Sequence, residues 1–191
     1  MIAATPPAVY TAPAADYQMF SNDTEPDCTV AAAGDLVIKW DVQRGVIDTA
    51  VVNDVQHTWH ALGAPSSGVD PATLLNYWTT HTIDGYRVHW TDQGHASAST
   101  IRADVAKGDG AYVQVHFSAA FMQYIDTNAQ ATWTTQGGNG ANVDTHQIDI
   151  VGYSTSGVSI ATWGETYHAT WQWLASHETD VADVAPIRGA K

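Results

Sequence analysis

His146-Gln147-Ile148-Asp149-Ile150-Val151-Gly152-Tyr153 alternates polar and β-branched side chains, the period-two signature of a half-buried strand. Ser154 to Gly157 supplies a turn, and Val158-Ser159-Ile160-Ala161-Thr162-Trp163-Gly164 returns as its hairpin partner. Upstream, Ala111 to Phe117 alternates in the same way after the turn Gly108-Asp109-Gly110, and Tyr86-Arg87-Val88-His89-Trp90 is a short aromatic and β-branched run after Asp84-Gly85. Val181 to Ile187 reads as a closing strand, and Trp171 to His177 as one or two helical turns. The first half has a different period. Helices are predicted over Cys28 to Trp40, Asp48 to Leu62 and Thr73 to His81, with a further one over Ser99 to Ala106. A helical block before a strand block argues for an α+β domain with a mostly antiparallel sheet.

Local chemistry supports these boundaries. Asp70-Pro71 is a strong helix start, since Asp caps free N–H groups and Pro suits the first helical position. Gly34 interrupts the Ala-rich helix after Cys28, and its position there marks a tight contact and not a stop. Residues 128–144, including Gln136-Gly137-Gly138-Asn139-Gly140, read as a long surface loop. They form no phosphate-binding loop, because no Lys follows the glycines.

Length and composition bound the function. One domain of 191 residues can bury a real core, and residues 1–17, with Pro6, Pro7 and Pro13, are expected to form an extended arm before a single domain at 18–191. That arm is either disordered or docked on a neighbouring subunit, so an oligomer through it is open. Seven Lys plus Arg against twenty Asp plus Glu give a formal net charge of -13, which argues against nucleic-acid and anionic-membrane partners. No signal sequence or membrane span is visible, consistent with a cytoplasmic location or a place in a particle. The single cysteine, Cys28, excludes an intrachain disulfide and a Cys-rich zinc site. His57 and His60 stand three apart on one predicted helix, without the Glu or third ligand of a zinc site, so no metal and no cofactor is expected.

Cys28 sits where the polar stretch Ser21-Asn22-Asp23-Thr24-Glu25-Pro26 passes into the Ala-rich helix. At a helix start, unpaired N–H groups and the macrodipole favour a thiolate. A lone Cys is also commonly just a small buried hydrophobe. Taken together, Asp27-Cys28-Thr29, the strand His146-Gln147-Ile148-Asp149-Ile150-Val151-Gly152-Tyr153 and the pair Trp163-Gly164 resemble the papain-like cysteine peptidase superfamily. The ordered set spans most of residues 18–187 and implies a papain-like α+β fold, with the Cys at a helix start and the His on the sheet.

The resemblance also implies roles. Cys28 would be the nucleophile, His146 the base and later the acid, and Trp163 a wall over the imidazole. Asn22, six residues before the Cys, would donate to the oxyanion, with Gln18 as the fallback; Asn22-Asp23 alternatively only makes a turn. The position that supplies an orienting Asn in many members is Ala161 here, and adjacent strand residues face opposite sides, so Thr162 is not expected to replace it without a bulge. Few residues precede Cys28, so a chain without a folded prosegment is expected. The implied activity is hydrolysis of a peptide or isopeptide bond in a peptide or protein substrate through an acyl-thioester on Cys28, or acyl transfer to an amine. The alternative is a catalytically idle module with a binding or structural role, for example in a virus particle or secreted assembly.

Overall fold

The computed structural model describes residues 5–11, 14–46, 50–128, 131–135 and 142–188. The chain runs α1 (Cys28–Gln43), α2 (Val51–Ala61), α3 (Pro71–Trp78), β1 (Tyr86–Gly94), α4 (Ala98–Lys107), β2 (Gly110–Ser118), α5 (Ala119–Thr127), β3 (Asn142–Tyr153), β4 (Gly157–Thr162), β5 (Glu165–Thr170), α6 (Trp171–His177) and β6 (Glu178–Arg188). The strands make one six-stranded sheet in the order β1-β6-β2-β3-β4-β5, each neighbouring pair antiparallel. The expected α+β architecture is therefore present. The loop expected around Gln136 to Gly140 lies outside the described residues.

Two apolar cores cover the sheet, one on each face. Leu36, Val37, Val55, Leu74 and Trp78 of the first three helices pack with Tyr112, Val151, Ala161 and Val184 of the sheet. On the opposite face, Ile101, Phe121 and Trp173 pack with Val113, Ile148, Ile150 and Ile160. Helix α1 is buried from Thr29 to Asp41, which explains its lack of a polar stripe. Gly34 is required there: a Cβ would lie 2.5 Å from the Phe20 ring and 2.6 Å from Val55, so the helix could not sit so close to its neighbours.

Two elements escaped the sequence reading. Helix α5 follows β2 with no Gly or Pro between them; its only signal is Ser118, whose hydroxyl accepts from the Phe121 N–H. Strand β5 was hidden because Trp163-Gly164 is not strand but a two-residue turn, closed by the pair Thr162 and Glu165. Both turn residues have positive φ, 50° and 73°, as a type I′ hairpin demands. Within the expected arm, Tyr10 meets the sheet in an isolated antiparallel bridge. Tyr10 exchanges backbone hydrogen bonds of 2.9 and 2.8 Å with Tyr153 at the end of β3, and the two rings stack at 6.1 Å.

The α1 core contains charge. Asp149 of β3 is 0 % exposed, and neither carboxyl oxygen has a hydrogen-bond partner among the described residues. Burial, then the neighbouring Asp35, pushes its pKa well above the usual carboxylate range, against Lys39. A carboxyl whose folded pKa is raised binds protons better in the folded chain. Its contribution to stability is complete below the unfolded pKa near 3.9 and is lost as pH rises through the folded value. Asp149→Asn imitates the protonated acid. It should leave Tm nearly unchanged at pH 4 and raise it at pH 8 by about 2–8 °C, on the order of 1–2 kcal/mol; a fall at pH 8 in thermal unfolding would contradict a protonated Asp149.

Candidate active site

The start of α1, the end of β2 and the start of β3 meet at one end of the sheet around a cleft of about 670 Å³. Its walls include Cys28, His146, Asn22 and Trp163, so the four residues singled out in the sequence come to one place. Gln18 does not join them. Its side-chain amide donates to the Asp16 carbonyl, and it lines a separate cavity of about 550 Å³ beside α1 and α2.

His146 is held from two sides. It is 6 % exposed, its Nε2 lies 2.7 Å from the Thr162 hydroxyl, and the Trp163 ring stacks on it at 4.4 Å and 24°. Phe117 stacks on it as well, with ring centroids 5.7 Å apart. Trp163 takes this position by adopting the left-handed backbone of the β4–β5 turn, uncommon for a bulky residue and characteristic of sites where the surroundings enforce it. Burial pushes the imidazole pKa down to about 3. The ring is therefore neutral at pH 7.

Thr162 and not Ala161 contacts the imidazole, and the hairpin has the bulge without which strand parity would not allow it. The hairpin pairs Ile150 with Ile160 and Asp149 with Ala161. His146 is an even number of residues from Ile148 and Ile150, and Thr162 is two beyond Ile160, so both fall on the same face. Ala161 faces the α1 core and is 0 % exposed. The register shifts between Ile150 and Gly152, a bulge in β3 that the sequence alone does not reveal.

Cys28 is half-buried as the first residue of α1. Burial pushes its thiol pKa up, the Gln147 backbone N–H opposes that by donating to the sulfur, and the charges of Asp144 and Asp27 add to it. Asp27 is itself 1 % exposed with its pKa raised to about 6, chiefly by burial, and its side chain does not cap the helix. Among the described residues no hydrogen bond links Cys28 to His146. Desolvation and the nearby carboxylates thus work against the thiolate that the helix start favours.

Asn22 lies in the turn before α1; its backbone N–H donates to the Met19 carbonyl at 3.0 Å, and its side-chain amide has no partner among the described residues. No group of three or more His, Cys, Asp or Glu that could hold a metal ion occurs among the described residues. The contribution of Gln147 was missed from sequence, since it comes from a backbone N–H.

A helix-start cysteine packed against an antiparallel sheet that carries a histidine defines the papain-like α+β fold, and the chain has it. Among solved structures it is similar to xylellain, a cysteine protease from Xylella fastidiosa, with a TM-score of 0.65 and 10 % identity over 96 % of this chain and 87 % of that one. No family profile and no curated protein matches the sequence. At that identity the likeness defines the fold alone.

Proposed function

We propose that the chain is a thiol hydrolase that cleaves a peptide or isopeptide bond through an acyl-thioester on Cys28. The observation that carries this reading is the convergence of Cys28 with a neutral, oriented His146 on one cleft. With Nε2–H donating to Thr162, the other ring nitrogen is the base. It takes the Cys28 proton as the sulfur attacks the substrate carbonyl, and the oxyanion receives hydrogen bonds from the Cys28 N–H and the Asn22 amide. The tetrahedral adduct collapses as the C–N bond breaks, and the imidazolium gives its proton to the leaving amine. Water, deprotonated by His146, then attacks the thioester, releasing the carboxylic acid and restoring the thiol. Digestion of a mixed peptide library, read as new termini by mass spectrometry, tests the reading; native protein that yields no termini absent from a Cys28→Ala control would reject it.

The Thr162 hydroxyl fixes ring orientation but makes no contact with the reacting atoms. Thr162→Val keeps shape and removes that hydrogen bond. A drop in kcat of about tenfold with KM little changed is expected, in line with the loss of one hydrogen bond of about 1.4 kcal/mol, and Thr162→Ser should restore most of it. Equal kinetics for the Val and Ser variants would remove Thr162 from the account. The upward push of burial on the Cys28 pKa also favours a second reading, in which the domain binds without reacting; the same library digestion separates the two.

A further inference from the structure

A smaller arm of about 50 Å³ lies beside the cleft and shares Pro71, Gln114 and Gln147 with it as lining residues. Its floor is a cross-strand row. Asp180 on β6 pairs with Gln114 on β2, which pairs with Gln147 on β3, so the three side chains share one face of the sheet and lead towards the sulfur. Asp92 pairs with Ala182, two residues from Asp180 on β6, and stands diagonally beside it on that face. Trp90 contributes an aromatic wall.

The charges here have one sign. Asp92 and Asp180 line the arm, and Glu25, Asp70 and Asp144 line the main cleft, while no Lys or Arg lines either part among the described residues. Outside those residues the sequence has one basic side chain, Lys191. The Asp180 carboxyl has its pKa raised by burial and then by the charge and hydrogen bonding of Asp92, so the two carboxyls stand close together. A second feature asks for a donor. Gln147 is 3 % exposed and borders both cleft and arm, yet its Oε1 is buried without a partner among the described residues. A buried acceptor left unmet is costly. One group answers all of these features: an N–H-bearing cation between the two carboxylates, donating to Gln147 and resting against the Trp90 indole. A volume of about 50 Å³, one to two waters at about 30 Å³ each, is of the size of an ammonium head.

We propose that this arm is a cation-recognition subsite that selects substrates with a lysine or arginine side chain near the scissile bond. The word substrate rests on the hydrolase reading, whereas cation binding by the arm does not. The test is binding to the Cys28→Ala protein of fluorescein-labelled hexapeptides of alanine in which each position in turn carries Lys, Arg, norleucine, Gln or Glu, read by fluorescence polarisation. Lys and Arg peptides should bind about tenfold more tightly than norleucine and Gln peptides at one position, with the preference shrinking as salt is raised. The Asp92→Asn/Asp180→Asn double variant should abolish the preference, and Asp180→Lys should turn it towards Glu. Both positions are exposed, so these variants should fold, which circular dichroism checks. Absence of binding by all peptides, equal binding of norleucine and Lys peptides, or a preference that survives the double variant would overturn the proposal. A preferred peptide that native protein leaves uncut would instead reject the hydrolase reading and leave this one standing. Cleavage by native protein without basic preference would do the reverse.

Discussion

Cys28→Ala should reduce cleavage of any substrate that the native chain hydrolyses to the uncatalysed level, a loss of at least about 10⁴-fold in kcat/KM, because it removes the single thiol of the sequence, the group proposed to carry the acyl intermediate. The substitution removes one sulfur from the first turn of α1 and leaves the buried run from Thr29 to Asp41 intact, so the fold and the cleft should survive. Cys28→Ser should be nearly as inactive. A serine hydroxyl is a far weaker acid and a far weaker nucleophile than a thiol, so it does not replace the sulfur in forming the acyl intermediate. The resting thiol has its own signature: with its pKa pushed up by burial, Cys28 should alkylate slowly with iodoacetamide at pH 6 and faster as the solution becomes alkaline. Steady-state kinetics on the three proteins, with circular dichroism as a folding control, decides the matter; residual turnover in Cys28→Ala above background would remove the thioester from the mechanism.

His146→Ala should lower kcat by about 10²–10⁴-fold, the range for loss of a positioned acid and base, with a smaller change in KM. The substitution leaves a void beside Phe117 and Trp163, so stability should fall as well. His146→Gln fills more of that space and retains a polar contact for Thr162, but it cannot carry the proton. The expected result is therefore near-equal inactivity of the Ala and Gln variants, with the Gln variant melting at the higher temperature. Activity that tracked stability and not the imidazole would make His146 a structural residue.

The legibility of the molecule follows from which signals are local. The β3–β4 hairpin, the antiparallel sheet and the helix that starts at Cys28 could be read because alternation, turn chemistry and apolar runs are written in consecutive residues. Helix α5 could not, since Ala119 to Thr127 follows a buried strand without a breaker, and only the Ser118 cap separates them. The site was legible as a set of residue types and much less as geometry. That Thr162 and not Ala161 reaches the imidazole depends on the strand parity set by the bulged hairpin, a long-range property. The upward push on the Cys28 pKa comes from burial beneath the cleft walls and from Asp144 and Asp27, and it opposes the local effect of the helix terminus. The acidic arm is the extreme case, because Asp92, Gln147 and Asp180 come from three separate strands.

In the proposed reaction Cys28 carries an acyl group transferred to it with the help of His146. Intact-protein mass spectrometry after brief exposure to p-nitrophenyl esters of basic, apolar and acidic N-acylated amino acids tests it most directly, with peptide mapping of the adduct and hydroxylamine lability as the mark of a thioester. One acyl group should appear on Cys28 in native protein, absent from Cys28→Ala and formed about 10²–10⁴-fold more slowly in His146→Ala. A native protein that acquires no acyl group on Cys28, or a His146→Ala protein that acquires it at the native rate, would contradict it.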